Sequence, residues 1–282
     1  MEEGAVVAGR FELRRRAASG GVGTVYEARD RLSEQRVAVK ILRTLEPDHV
    51  RRFQREAELL AGLRDPGFVQ YLDYGVLADG RPFLVTEWLT GEDLDTRLER
   101  GPLAIDEVLT LATRVAETLA LVHARGIIHR DIKPANLWLV DGAVARPKVL
   151  DLGLGRFVYG ERPDITISGT ILGTPSYMSP EQARGVALDE RTDVFSLGCV
   201  LYECLTGYRA YCGEHAMAVL AKIVFEDAPR VRDYRPEVPR ALEQVVCDAM
   251  AREPSKRLPS VRAVIEALAQ VQAAPRRKES SR

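Results

Sequence analysis

"IIHRDIKPANLWLV", residues 127–140, sets His129, Arg130, Asp131, Lys133 and Asn136 between apolar runs that read as buried strand. Burying charge without partners is costly, so such a loop needs solvent or a ligand to complete it. Downstream, "VLDLG" ends another apolar strand on an acid, Asp151. Asp131, Asn136 and Asp151 together offer hard oxygen donors and a carboxylate to spare for a substrate proton. Mg²⁺ prefers such donors, with water and phosphate oxygens completing its octahedron.

Upstream of the loop, "AASGGVGTVYEA" (17–28) carries Gly20, Gly21 and Gly23. Glycines let a backbone turn tightly and leave N–H groups free to meet phosphate oxygens. A dinucleotide fingerprint would continue into a helix, whereas Thr24-Val25-Tyr26 starts a strand. The loop therefore joins two strands as a lid, and in isolation it reads equally well as an ordinary glycine-rich hairpin. In "RVAVKIL" a strand period of two sets Ala38 and Lys40 on one face, with Val37, Val39 and Ile41 on the other. In "DHVRRFQREAELLAGL" Val50, Phe53, Ala57, Leu60 and Leu63 recur at helical spacing, with Asp48 as the expected cap. Glu56 falls on that apolar stripe, and a buried carboxylate needs a cation. Lys40 is the candidate.

The remaining pattern divides the chain in two. "FELRRRA", "TVYEARD", "RVAVKIL", "VQYLDYGVL" and "PFLVTEWL" read as strands. Asp79-Gly80 signals a hairpin of type I′, in which both positions take positive φ. From about residue 92 helices dominate; "DEVLTLATRVAETLALVHARG" sets Leu111, Val115, Thr118, Leu119 and Val122 on one stripe and stops at Gly126. The fold class is α+β in two lobes: a small antiparallel sheet with one helix, then a larger, mainly helical part. The expected boundaries are a leader at 1–10, a small lobe at 11–88, a large lobe at 89–268, and a polar tail or linker at 269–282. The junction lies near "TEWLTGEDL", and clefts between lobes are common ligand sites.

Bulk numbers exclude other classes. The formal charge of −1 over 282 residues gives no basic excess with which to displace counterions from nucleic acid. The four cysteines, at positions 199, 204, 212 and 247, show no metal-ligand spacing and read as free thiols of a reducing compartment. "MEEGAVVAGRFEL" lacks the apolar core of a secretion signal. "VFSLGCVLYECL" falls short of the roughly 20 residues of a membrane span. The expected location is cytoplasmic.

"VAVK", "REAELL", "HRDIKPAN", "DLG", "GTPSYMSPE", "TDVFSLG" and "REPSKRL" occur in an order and spacing that resembles the protein kinase catalytic domain, and the "GTPSYMSPEQ" phrasing is similar to its bacterial serine/threonine branch. The likeness runs from about residue 11 to 268. It implies ATP and Mg²⁺ as cofactors, with Mn²⁺ as a substitute, and serine or threonine hydroxyls of proteins as acceptors. Lys40 then binds phosphates and pairs with Glu56, Asp131 orients the acceptor hydroxyl, Lys133 neutralises the moving phosphoryl group, and Asn136 with Asp151 holds the metal. Ala18, Ser19, Gly20, Gly21 and Gly23 form the phosphate lid. Adenine lies between Val25 and Ala38 above and Trp138 below, its edge on backbone groups of Glu87 and Leu89, with Thr86 at the rear.

The same resemblance makes Lys133 a mark of Ser/Thr specificity. It sets Thr174 against Asp131 and Lys133, pairs Glu181 with Arg257, and assigns Asp193 to the backbone of the His129-Arg130 turn. Thr166, Ser168 and Thr170, in "DITISGT", are the candidate sites of self-phosphorylation, which requires transient pairing of two copies. Two positions depart from the family pattern: Ala18 replaces the first lid glycine and Leu152 replaces the usual Phe. Neither removes a reactive group. A catalytically silent scaffold and a small-molecule phosphotransferase are the rival classes. The first conflicts with the presence of Lys40, Asp131 and Asp151, the second with the "GTPSYMSPE" docking segment.

Overall fold

A computed structural model describes residues 3–20, 23–151 and 175–273. The small lobe contains β1 (Val6–Val7), β2 (Phe11–Ser19), β3 (Gly23–Asp30), β4 (Arg36–Leu42), α1 (Pro47–Gly62), β5 (Tyr71–Val76) and β6 (Pro82–Glu87). The strands form one antiparallel sheet in the order β1-β2-β3-β4-β6-β5. The two-residue β1, within the expected leader, pairs Val7 with Phe11 and buries it completely.

Alternation along β4 sorts its side chains as the period of two requires. Val37, Val39 and Ile41 join Phe11, Leu13, Tyr26, Ala28, Phe83 and Val85 in a core of their own. The opposite face carries Ala38 and Lys40, and Lys40 reaches Glu56 of α1, whose Phe53, Ala57 and Leu60 are buried. Ring packing of Phe53 on Tyr74 helps seat that helix on the sheet.

Two local expectations are corrected. Asp48 does not cap α1: Glu46 is the N-cap residue and makes no side-chain cap, and Pro47 begins the helix. Proline's fixed φ and missing N–H suit the first helical position, so it starts the helix where a side-chain cap would otherwise act. The β5–β6 hairpin is also not type I′. Gly80 alone takes positive φ, at +87°. Gly80 N–H donates to Leu77 C=O (2.9 Å), Leu77 N–H donates to Arg81 C=O (2.9 Å), and Asp79 Oδ1 accepts from Arg81 N–H (3.1 Å). The aspartate acts through its side chain rather than by adopting a left-handed backbone.

The large lobe begins with β7 (Gly91–Asp93), α2 (Leu94–Leu98) and α3 (Ile105–His123), followed by β8 (Leu137–Val140) and β9 (Pro147–Val149). These three strands pair in the order β7-β8-β9. Then come α4 (Pro180–Arg184), α5 (Arg191–Thr206), α6 (Ala216–Phe225), α7 (Val231–Tyr234), α8 (Arg240–Ala249) and α9 (Val261–Ala273). Leu111, Val115, Thr118, Leu119 and Val122 of α3 are all buried. Every residue of α5 from Thr192 to Thr206 is buried, so its polar groups must find partners inside the protein. Among the described residues no helix is long and apolar enough to cross a membrane.

Candidate active site

The cross-strand register of the small lobe sets Val25 opposite Lys40, Lys40 opposite Leu84, and Ala38 opposite Thr86. Opposed residues share a face, so Val25, Ala38, Lys40 and Thr86 form one wall above the large lobe. Ser19 ends β2 and Gly23 begins β3, with Gly20 N–H donating to Gly23 C=O (3.0 Å) at the lid's base. A Cβ on Gly23 would stand 3.0 Å from Ile41 O, a tight approach that a side chain could take only with a small shift of the neighbouring strand.

Lys40 Nζ donates to Glu56 Oε1 and Oε2 at 3.0 and 3.4 Å, and to Asp151 Oδ1 at 2.6 Å. The ammonium therefore stands between a small-lobe and a large-lobe carboxylate. Burial works against the Lys40 charge, but Asp151 and Glu56 outweigh it and raise its proton affinity. Lys40 in turn pulls the Asp151 carboxyl below its ordinary range, against burial. Burial pushes Glu56 upward, against the pull of Lys40 and helped by Asp151. The Asp151 side chain is 57% exposed while that of Glu56 is 13% exposed. The triad thus opens to the cleft on the side of Asp151, whose backbone is left-handed (φ +46°).

The opening loop forms a second cluster. Lys133 Nζ donates to Asp131 Oδ2 (2.8 Å), and Asn136 Nδ2 donates to Asp131 O (2.8 Å) and Oδ2 (2.9 Å), turning the Asn136 amide oxygen the other way. His129, fully buried, links this cluster to the first. Burial holds its imidazole below its ordinary proton affinity in spite of Asp193 and Asp131. Its Nε2–H donates to Leu150 C=O (3.2 Å) and its Nδ1 accepts from Asp131 N–H (3.3 Å). Leu150 N–H returns to Asn136 C=O (2.8 Å). Asp131 and Asn136 are therefore linked to Asp151 through His129 and Leu150.

From α5, Asp193 Oδ2 accepts from His129 N–H and Asp193 Oδ1 from Arg130 N–H, both at 2.8 Å. These bonds hold Arg130 in its left-handed conformation (φ +69°). The Glu181–Arg257 pair forms as the family resemblance implies, at 2.6 Å.

At the back wall, Trp138 on β8 donates its indole N–H to Thr90 C=O (3.1 Å). Leu89 packs at the edge of the large core. The Thr86 hydroxyl donates weakly to Glu87 C=O (3.4 Å). Gly91 takes φ +113°, and a Cβ there would lie 2.0 Å from Leu139 O. The Glu87 side chain turns away from the wall, accepting from Lys148 Nζ (2.6 Å) and Gln70 N–H (2.7 Å).

Lys148, absent from the sequence reading, also donates to Phe68 C=O (3.0 Å). A cation between buried Pro147 and Val149 on β9 was the available signal for it. His123 was missed too: its Nε2 lies 2.7 Å from Asp193 Oδ2, beside the bonds that hold the loop. Gly21, Leu152, Thr166, Ser168, Thr170 and Thr174 lie outside the described residues. Among those described, no cluster of three His, Cys, Asp or Glu side chains could hold a metal by itself. A cation here would draw on Asn136 and Asp151 and take its other oxygens from elsewhere.

Several known proteins are similar to this chain over most of its length. The DNA damage-responsive serine/threonine-protein kinase RqkA of Deinococcus radiodurans is 39% identical over 262 residues, covering 91% of this chain and 39% of that protein. Serine/threonine-protein kinase pkn3 of Myxococcus xanthus is 34% identical, covering 99% of this chain and 53% of that protein. Serine/threonine-protein kinase PknA of Mycobacterium tuberculosis is 34% identical, covering 97% and 64% respectively. The chain thus spans between 39% and 64% of the length of these curated relatives. The crystal structure of Rad53 1-466 in complex with AMP-PNP shares the fold, with a TM-score of 0.76 at 22% identity over 92% of this chain and 64% of that one. The sequence profile described as "Protein kinase domain" matches residues 11–269. With most of its length so matched, the chain belongs to the protein kinase domain family.

Proposed function

We propose that this chain is an ATP-dependent serine/threonine protein kinase domain, moving the γ-phosphoryl group of ATP to hydroxyls of protein substrates. The observation that carries the reading is the Lys40–Asp151 contact at 2.6 Å, which brings a small-lobe ammonium to a large-lobe carboxylate already linked to Asp131. An ammonium on that carboxylate supports reading the position as a cation site. The donor set of Asn136 and Asp151 fits Mg²⁺, with Mn²⁺ as a substitute.

When bound, the nucleotide and its metal supply the transferable phosphoryl group and the counter-charges for the loop. The chain's own residues then work by positioning and by charge. Glu56 fixes Lys40, which orients the α- and β-phosphates. Asp131 accepts the hydrogen bond of the acceptor hydroxyl and receives its proton. Lys133 stands ready beside Asp131 to neutralise charge on the phosphoryl group. Gly20 and Gly23 let the lid backbone approach the phosphates, with Ala18, Ser19 and Gly21 completing it. Val25, Ala38, Trp138 and Thr86 enclose the adenine, whose edge meets backbone groups of Glu87 and Leu89.

The lobes divide at 88/89. We further propose self-phosphorylation within Thr166, Ser168 and Thr170 by transient pairing of two copies, in the cytoplasm. Free thiols at positions 199, 204, 212 and 247 support a reducing compartment. Proteins rather than nucleic acids are the proposed partners, given the formal charge of −1.

The test is transfer of label from γ-labelled ATP to a generic basic protein, followed by phosphoamino-acid analysis. Wild type is expected to label serine or threonine. Asp131→Asn is expected to reduce kcat by about 10²–10⁴-fold while leaving nucleotide affinity in place. Equal turnover by wild type and Asp131→Asn would overturn the assignment.

A further inference from the structure

β4 ends at Leu42, which pairs with Gly23 at the start of β3, and Arg43 follows immediately beyond that pair. Its side chain reaches past β3 to the end of β2. Arg43 Nη1 donates to Ser19 Oγ (3.4 Å), and Nη2 donates to Gly20 C=O. Arg43 is exposed and so are Ser19 and Gly20, so no apolar burial accounts for the contact. What it joins is the strand carrying Lys40 and the two lid residues at which β2 turns.

We propose that Arg43 is a positioning residue for the phosphate lid: by gripping Ser19 and Gly20 from the end of the Lys40 strand, it sets the lid over the triphosphate before nucleotide arrives. This role rests on the nucleotide-binding reading given above. Three physical arguments support it. A charge-assisted hydrogen bond from a guanidinium is stronger and more directional than a neutral one, so it can order the exposed Ser19 and Gly20. Glycines lose more conformational freedom on ordering than other residues, so a lid held in advance loses less when phosphate binds. The guanidinium also adds a second positive charge three residues from Lys40, which favours a polyanion over an uncharged nucleoside.

The role predicts a phosphate-dependent defect, separable from general damage. Affinities for Mg²⁺ with a non-hydrolysable ATP analogue, and for adenosine alone, are to be measured by calorimetry on wild type, Arg43→Ala, Arg43→Lys, Arg43→Glu and Ser19→Ala. Arg43→Ala is expected to weaken the triphosphate about five- to tenfold, the scale of one charged hydrogen bond, and to leave adenosine unchanged. KM for ATP is expected to rise by the same factor, with kcat changing less than about twofold. Arg43→Lys, which keeps a cation able to reach a carbonyl, is expected to restore most of the loss, and Arg43→Glu to exceed it. Ser19→Ala is expected to cost less than about twofold, and to add nothing to Arg43→Ala, since hydroxyl and guanidinium act as one unit. Triphosphate affinity equal to wild type in Arg43→Ala overturns the role, and so does an equal loss for adenosine. A wild-type chain that binds neither compound overturns the nucleotide reading itself.

Discussion

Arg257 closes a two-pronged ion pair on Glu181 inside the large lobe, Nη1 to Oε1 at 2.6 Å and Nη2 to Oε2 at 2.7 Å. Thr192 Oγ1 adds a third hydrogen bond to Glu181 (2.9 Å), and both charged side chains are almost wholly buried. Burial works to raise the Glu181 carboxyl, but the hydrogen bonds and charge of Arg257 hold it below its ordinary range.

Removing one partner leaves the other charge buried and uncompensated. Arg257→Ala is therefore expected to destabilise the folded chain by about 3–5 kcal/mol, read from urea unfolding midpoints at neutral pH. The double variant Glu181→Leu/Arg257→Met is expected to cost less than the single one, because no lone charge remains. A loss under about 1 kcal/mol in Arg257→Ala would count against a tightly closed pair.

His129 gives stability a pH dependence of known sign. Its proton affinity is lower in the folded than in the unfolded chain, so the unfolded state binds more protons on acidification. Its contribution is fully present above the unfolded value of about 6.5 and is lost as pH falls through the lower folded value. Wild type is expected to lose stability between pH 7.5 and 5.5 more steeply than His129→Asn in parallel urea titrations. Matching slopes would mean that the imidazole is not held neutral.

Glu56 has the opposite sign. Its carboxyl is raised on folding, chiefly by burial, so its contribution is present below the ordinary value of about 4.3 and is lost as pH rises through the folded one. Glu56→Gln is expected to gain on wild type in thermal stability as pH goes from 5 to 8. On the proposed role of Lys40 in orienting the phosphates, the same variant is expected to lose activity by about 10²-fold. Undiminished turnover in Glu56→Gln would remove the carboxylate from the positioning of Lys40.

Gly91→Ala is expected to destabilise by about 2–3 kcal/mol or to fail to fold. It would combine a left-handed φ of +113° with a Cβ placed on the Leu139 carbonyl. Gly142→Ala is the control: it shares a positive φ of +73°, but its nearest neighbour is 4.0 Å away. Comparing the melting points of the two separates backbone strain from collision.

Periodicity oriented the small-lobe pair of the candidate site, while the roles of the loop, lid and adenine-wall residues came from the family resemblance. A strand period of two set Lys40 beside Ala38, and a helical period set Glu56 on the stripe of Phe53 and Leu60. Other features needed the fold itself. Lys148 finds Glu87 across 61 positions of sequence, and no local pattern announces the pair. The same holds for Arg43 and Ser19. β1 is too short at two residues to show alternation. At Asp48 and at Asp79-Gly80 the residue types marked a helix start and a turn, but the helix begins at Pro47 without a side-chain cap and the turn is not type I′.

Asp193 belongs to α5, the most deeply enclosed helix of the large lobe, and takes the N–H groups of His129 and Arg130 on its two oxygens. The loop bearing Asp131 is thereby anchored to an inert footing, whereas Lys40 reaches the same centre only by bridging from the other lobe. Errors in alignment therefore arise on the lysine side, which makes the small lobe the natural target for anything that tunes the rate and the large lobe a fixed bench on which the reaction is assembled.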